Sequence, residues 1–308
     1  MVEGSKVAIV CCSNAQPQTY KNKMNALENT LVQLGLVPVF SDYIYEKYSV
    51  FSGTGKERAE SLMDFYRDDE IKAVFDISGG DIANEILPYL DFECIAQTKK
   101  QFWGYSDLTT IINAIYAKTG RPSVLYQIKN LIGHDAKTQI SNFANTVIHQ
   151  GNDLFLFDYE FVQNKCMQGV VVGGNVRCLL KLAGTEYWPD MNGTVLLMES
   201  LGGEVPQMIT YLNQLKQMGV FDKVNGILLG TFTEMEQKAC SPDIIKLVKQ
   251  YAGEDIPIAK TNEIGHGANS RGMVIGKEIC LCADKNGSLY FPEREGYNES
   301  MHVSGILK

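Results

Sequence analysis

The chain has 308 residues, 45% of them hydrophobic and 21% charged, which excludes a disordered or fibrous chain and provides core material for one large domain or two ordinary ones. Its formal net charge is −8, from 36 acidic and 28 basic residues, and no Lys/Arg run is longer than Lys99-Lys100, which argues against a nucleic-acid partner. No window approaches the roughly 18–20 apolar residues of a membrane span, and the N-terminal apolar run Val7–Cys12 is too short for a signal sequence, so a cytoplasmic protein without membrane contact is expected.

The first part alternates strand and helix. Val7–Val10 reads as a strand, Tyr20–Leu34 as a helix stopped by Gly35, Val37–Phe40 as a strand and Glu57–Tyr66 as a helix. Ala73–Ile77 is a third strand, followed by Gly79-Gly80 and a helix through Ile86. Gln101–Trp103 is a fourth, followed by a helix from Asp107 to about Ala117. This rhythm predicts a three-layer α/β domain over residues 1–128, with a mainly parallel sheet and sites at the carboxyl ends of its strands.

The segment 129–164 breaks the rhythm. It is polar, with scattered Phe and Tyr, and reads as a connector. A second domain follows over 165–308. Strands are expected at Thr194–Met198, Gly226–Leu229, Ile258–Lys260, Glu278–Cys282 and Ser288–Phe291, and helices at Pro206–Met218 and Pro242–Tyr251, the latter with Ser241 as cap and Pro242 in the first position. The eight cysteines form no CxxC pair. Without an export signal they are expected to be free, mostly buried thiols. No cluster has metal-ligand spacing, so neither metal nor cofactor is expected.

Chemistry concentrates at three strand ends. In Phe102-Trp103-Gly104-Tyr105-Ser106-Asp107-Leu108-Thr109 an apolar strand meets a helix at Ser106. Such a turn raises a serine hydroxyl as a nucleophile elbow does, although Leu108 stands where that pattern has its last glycine. The Asp107 N–H then faces the position of an oxyanion. Taken alone, the segment fits a helix cap better than a nucleophile. Of the four histidines, only His266 has a strand-end glycine context, Ile264-Gly265-His266-Gly267. Glu199 ends the apolar run Thr194–Met198, where an acid is costly unless paired; Glu204, just before a helix, is its rival. The turn Ser78-Gly79-Gly80-Asp81 reads as a plain tight turn, a phosphate cradle or the second oxyanion donor through Gly80.

The set Gly79-Gly80, Leu87-Pro88-Tyr89-Leu90-Asp91 and Gly104-Tyr105-Ser106-Asp107-Leu108-Thr109 resembles the N-terminal half of the LD-carboxypeptidase family of serine peptidases. Gly173-Gly174-Asn175, Gly184-Thr185, Trp188-Pro189-Asp190, Leu196-Leu197-Met198-Glu199 and Gly265-His266-Gly267 resemble its C-terminal half, in family order. The resemblance implies a triad of Ser106, Glu199 and His266. It also implies an oxyanion hole from Gly80 and Asp107, a β-rich C-terminal domain, a site at the domain junction, and a metal-free cytoplasmic homodimer. The usual family substrate is the murein tetrapeptide, which loses its terminal D-alanine. Many members carry Arg before the Gly-Gly pair and Tyr after it. Here Ser78 and Asp81 stand there, closer to the branch of the microcin C immunity peptidase, which cuts an amide between an amino acid and a nucleotide-like group. A reading from another class is a non-catalytic protein that binds a small molecule between its domains. An exopeptidase must also read a free carboxylate; Arg177 and Arg271 lie beside matched motifs, with Arg271 preferred because it follows His266 closely.

Overall fold

The structure, a computed structural model, describes residues 1–283. In chain order the first half runs β1 (Lys6–Val10), α1 (Lys21–Gln33), β2 (Val37–Phe40), α2 (Gly55–Arg67), β3 (Ile71–Asp76), α3 (Phe92–Gln97), β4 (Gln101–Gly104), α4 (Thr109–Thr119) and β5 (Ser123–Leu125). The rest comprises α5 (Ala136–Val147), β6 (Glu160–Gln163), β7 (Cys166–Asn175), α6 (Val176–Leu180), β8 (Val195–Ser200), α7 (Val205–Gln217), β9 (Gly226–Phe232), α8 (Thr233–Gln237), α9 (Ile244–Ala252), β10 (Ile258–Lys260), β11 (Met273–Ile275) and β12 (Glu278–Cys282). The expected strand Ser288–Phe291 and His302 lie outside the described residues. No helix among the described residues is long and apolar enough to cross a membrane.

The first sheet has the order β11-β5-β4-β3-β1-β2 and is parallel except for β11. The chain reverses direction across the sheet between β1 and β3, so the loops after these strands part at the carboxyl edge, where α/β sheets bind ligands. The second sheet has the order β12-β7-β8-β9-β10-β6, with antiparallel strands only at its edges. From β7 to β10 each crossover moves one strand in the same direction. Right-handed crossovers of that kind put their helices on one face. Leu196, Met198, Ile227 and Leu229 accordingly pack with Leu212 and Leu215 of α7 and Leu247 and Val248 of α9. The intervening side chains Val195, Leu197 and Leu228 point the other way, into one cluster with Ile111, Ile112 and Ile115 of α4. Strand alternation thus divides the second sheet between its own helices and the first half of the chain.

Helix α4 is buried on all sides from Thr109 to Ile115 because it is enclosed between the sheets. Its buried polar groups are satisfied across the junction. The Asn113 amide donates to the Gly173 carbonyl at 2.9 Å and accepts from the Gly173 N–H at 2.8 Å. Thr109 Oγ1 accepts from the Asn175 N–H at 3.0 Å, and Thr110 Oγ1 donates to the Cys178 carbonyl at 3.1 Å. The helix that follows Ser106 is thereby fixed to the strand that lies beside Glu199.

Several expectations change on folding. The segment 129–164 is not a bare linker. It carries α5, and Phe143, Val147 and Leu154 join the core of the first half around Trp103 and Tyr126. Its polar appearance comes from the outer face of one amphipathic helix. The helix expected through Ile86 is a 3₁₀ segment, Ala83–Tyr89, with Pro88 inside it; a proline there removes a donor that an α-helix needs. Helix α9 starts after Asp243, whose carboxylate accepts from the Lys246 N–H at 2.8 Å, so Asp243 rather than Ser241 is the cap. Nor are all cysteines free thiols: Cys166 and Cys282 form a disulfide, because the antiparallel register of β7 and β12 sets them directly opposite each other.

Candidate active site

Strand β4 ends at Gly104, and the backbone turns at Ser106 with φ +58°, a left-handed conformation uncommon for a non-glycine residue. Leu108 fits at the motif's glycine position because Gly104 has no side chain. A Cβ on Gly104 would come 2.7 Å from the Leu108 Cβ. Ser106 is partly exposed and lines an open cleft of about 400 Å³, whose other walls include Gly80, Asp81, Asn175, Arg177 and Tyr211. That volume lies in the usual range for small-molecule sites.

Glu199, on β8, is fully buried. Its Oε2 lies 2.7 Å from His266 Nδ1, and its Oε1 accepts from Asn175 Nδ2 at 3.0 Å. Both carboxylate oxygens therefore have a partner, as a buried charge requires. Glu199 can only accept at that contact, so in the neutral ring Nδ1 carries the proton and Nε2 keeps the lone pair. His266 Nε2 is buried and has no hydrogen-bond partner among the described residues. Tyr105, next to Ser106, packs edge-on against the His266 ring at 4.9 Å between centroids. Burial, and then the Glu199 charge, push the Tyr105 phenol well above its ordinary range, so it stays neutral beside the pair. The Thr231 hydroxyl accepts from the His266 N–H at 3.3 Å and fixes the loop that carries the ring.

Two further segments border Ser106. Gly80 has φ +113°, and a Cβ there would fall 2.2 Å from the Asn14 side chain. Only glycine lets Asn14 close over this turn, where its Oδ1 accepts from the Asp81 N–H at 3.0 Å and its own N–H donates to the Gly79 carbonyl at 3.1 Å. Asp107 is fully buried. Its carboxylate accepts from Ser13 Oγ at 2.6 Å and the Ala83 N–H at 2.9 Å, and it pairs with Lys181. The same ammonium donates to the Asp81 carbonyl at 2.8 Å. Arg177 pairs with Asp81 and donates to the Gly80 carbonyl at 3.0 Å. Two cations at and just beyond α6 thus hold the Gly79–Asp81 turn, and one of them also holds the residue after Ser106. Beneath them Asp76 accepts from the Ser78 N–H and the Cys12 N–H at 2.7 and 2.8 Å. Burial raises its carboxyl above the ordinary range against the pull of these bonds.

Residues from both sheets therefore meet at one cleft, and the matches to known proteins follow the same division. A family model described as the LD-carboxypeptidase N-terminal domain matches residues 7–126, and one described as the LD-carboxypeptidase C-terminal domain matches residues 168–281. The chain belongs to the LD-carboxypeptidase family. It is a serine peptidase of that family's α/β fold. A probable murein peptide carboxypeptidase of Bacillus subtilis (strain 168) is 29% identical over 262 residues, covering 82% of this chain and 81% of that one. The microcin C7 self-immunity protein MccF of Escherichia coli is 29% identical over 272 residues, covering 77% and 79%. A structure of MccF in complex with glutamyl sulfamoyl guanosine superposes with a TM-score of 0.84 at 21% identity, covering 95% of this chain and 97% of that one. This last likeness concerns the fold.

Of the residues singled out in the sequence, Ser106, Gly80 and Arg177 line the cleft of this LD-carboxypeptidase family member, and Glu199 and His266 form one pair. No hydrogen bond joins Ser106 to His266 among the described residues; such contacts often tighten only when substrate binds. Arg271 is not among the residues lining the cleft. Its guanidinium donates to the Asp153 carbonyl at 3.0 Å and lies 3.7 Å from Glu263. Glu204 pairs with Lys238 at 2.7 Å and accompanies the start of α7. Asn14, Asn113, Asn175 and Lys181 carried no role in the sequence reading, since the partners that give them one lie 24 to 100 residues away: 24 for Asn175 with Glu199 and 100 for Lys181 with Asp81, for example.

Proposed function

We propose that the chain is a serine carboxypeptidase that hydrolyses the terminal L–D amide bond of a murein tetrapeptide and releases D-alanine. The observation that carries this reading is the Glu199–His266 contact of 2.7 Å, with the opposite ring nitrogen unpartnered among the described residues and the ring packed on Tyr105, the neighbour of the cleft-lining Ser106. Ser106 Oγ attacks the carbonyl carbon while His266 Nε2 takes its proton. Glu199 accepts from His266 Nδ1–H and stabilises the imidazolium, and Asn175 holds the carboxylate in place. The N–H groups of Gly80 and Asp107 receive the oxyanion. His266 then gives its proton to the leaving amine of D-alanine. Water, deprotonated by His266, cleaves the ester and frees Ser106. Arg177, on the cleft wall beside Asp81, reads the free carboxylate of the departing residue.

Ser78 and Asp81 support a second reading, hydrolysis of an aminoacyl-nucleotide amide, since they set this chain apart from the Arg and Tyr of many murein enzymes. The two readings separate in one assay. Purified protein is given a murein tetrapeptide and an aminoacyl sulfamoyl adenosine, and free D-alanine and free amino acid are measured. The first reading expects D-alanine release at the higher kcat/KM. Release from the nucleotide alone would overturn it in favour of the second, and turnover of neither, with retained binding, would favour the non-catalytic class.

A further inference from the structure

One group of side chains away from the cleft has no part in this reaction. Cys166 opens β7, and Cys280 and Cys282 lie on β12. Cys166 and Cys282 are register partners in an antiparallel pair, so their side chains share one face of the sheet. Cys280 precedes Cys282 by two residues on the same strand and projects to that face as well. Its sulfur lies 4.0 Å from that of Cys282, and the three sulfurs all lie within 4.8 Å of one another. Cys166 is exposed and the other two are partly exposed, so the group is open to solvent ions. Among the described residues it is the one cluster of three or more metal-ligating side chains.

We propose that Cys166, Cys280 and Cys282, once the Cys166–Cys282 disulfide is reduced, form a three-thiolate site for a soft d¹⁰ cation of the Zn²⁺ or Cu⁺ type. A dithiol reductant supplies two electrons and two protons to the disulfide and is itself oxidised to a disulfide. The cation then displaces the protons of the three thiols into solvent, and three metal–sulfur bonds form. Metal–sulfur bonds of about 2.3 Å in tetrahedral or trigonal geometry set ligand sulfurs roughly 3.8–4.0 Å apart, and the Cys280–Cys282 separation of 4.0 Å already meets that spacing. Thiolates select soft cations over Mg²⁺ or Ca²⁺. No fourth His, Cys, Asp or Glu joins the group among the described residues; three sulfurs suffice for Cu⁺, whereas Zn²⁺ takes one further ligand.

The site is separate from the hydrolytic cleft. Strand β7 has ten residues and spans about 30 Å; Cys166 begins it, and Asn175, the partner of Glu199, ends it. The proposal therefore stands or falls independently of the proposed hydrolysis.

The test uses the whole chain, reduced with dithiothreitol, desalted under argon and titrated with Cd²⁺ or Zn²⁺ alone. Wild type is expected to take one equivalent of Cd²⁺ with a sulfur-to-cadmium charge-transfer band. Cys280→Ser is expected to lose about a third of that band and to bind Zn²⁺ at least tenfold to a hundredfold more weakly, roughly the loss that removal of even an outer-shell partner causes. Less than one equivalent on reduced wild type, or unchanged Zn²⁺ affinity in folded Cys280→Ser, overturns the proposal. If that variant does not fold, alkylation of wild type with and without Zn²⁺ decides, read by mass spectrometry. Joint protection of all three cysteines supports the site, and protection of two or fewer refutes it.

Discussion

The ends of β4 and β8 supply the two sides of the cleft, and they are held in opposite ways. Ser106 sits on a left-handed backbone, partly exposed, with its hydroxyl unengaged among the described residues. Glu199 sits on regular strand, fully buried, with both oxygens hydrogen-bonded. The first half of the chain places its reactive group through backbone conformation, which the neighbouring loops must maintain. The second half places its group through a buried side-chain pair that is already complete. The proposed nucleophile must remain free to react, whereas a buried carboxylate cannot be left unpaired.

The sharpest way to break this comparison is to remove each group in turn. Ser106→Ala deletes one oxygen from a turn and should leave the far-ultraviolet circular dichroism and melting temperature near wild type, while kcat falls by about 10⁴ to 10⁶. Near-normal turnover would end the serine mechanism. Glu199→Gln should cost about 10⁴ in rate through loss of the group that orients His266. Glu204→Gln, which loses an exposed contact to Lys238, should cost far less, and the reverse ranking would exchange the roles of the two acids.

The next effect tests whether the loops of the first half depend on the second. Lys181→Met leaves the fully buried Asp107 carboxylate without its cation. Breaking such a pair should lower unfolding stability by about 3 kcal/mol in urea titration. Release of the Asp81 carbonyl at the same time should lower kcat roughly tenfold or more with little change in KM. Lys181→Arg should recover part of both. A change confined to stability would mean that the clamp supports the fold without tuning the Gly79–Asp81 turn.

A smaller effect is expected at the arginines. Arg177→Met should raise KM for a free-acid substrate about tenfold, the loss of a charge-assisted hydrogen bond, and should affect a terminally amidated analogue less. Arg271→Met should weaken both substrates equally, because that guanidinium holds the Asp153 carbonyl and Glu263. Opposite results would return the carboxylate to Arg271. Smallest of all, a strong chelator should leave turnover unchanged: the candidate metal ligands cluster at the far end of β7. Loss of activity restored by Zn²⁺ would refute a metal-free mechanism.

Much of the first half was legible in the sequence because its elements announce themselves locally. Met24, Leu27 and Leu31 recur at helical spacing and are buried together on α1, and Val37–Phe40 is a strand over the predicted span. Ser106, Glu199 and His266 stood out for the same reason, each at the end of an apolar strand or in a glycine turn. The segment 129–164 was misread because half of an amphipathic helix is polar, and composition does not reveal which face is covered. Strand β11 was missed because it depends on a remote partner: Met273–Ile275 pairs with the edge that β5 leaves open.

The sequence by itself determined the alternation of strands and helices through α4, the strand-end turns that carry the candidate reactive groups, and the family to which they belong. The first two depend on periodicity, caps and glycine, all short-range properties of the chain; the third rests on the resemblance of motifs spread along nearly its whole length. Only the tertiary structure decided that Asn113 binds Gly173 across the junction, that Lys181 neutralises Asp107, and that Cys166, Cys280 and Cys282 share one face. Such contacts join residues far apart in the chain, and their worth comes from burial, which exists only after the two sheets have closed on α4.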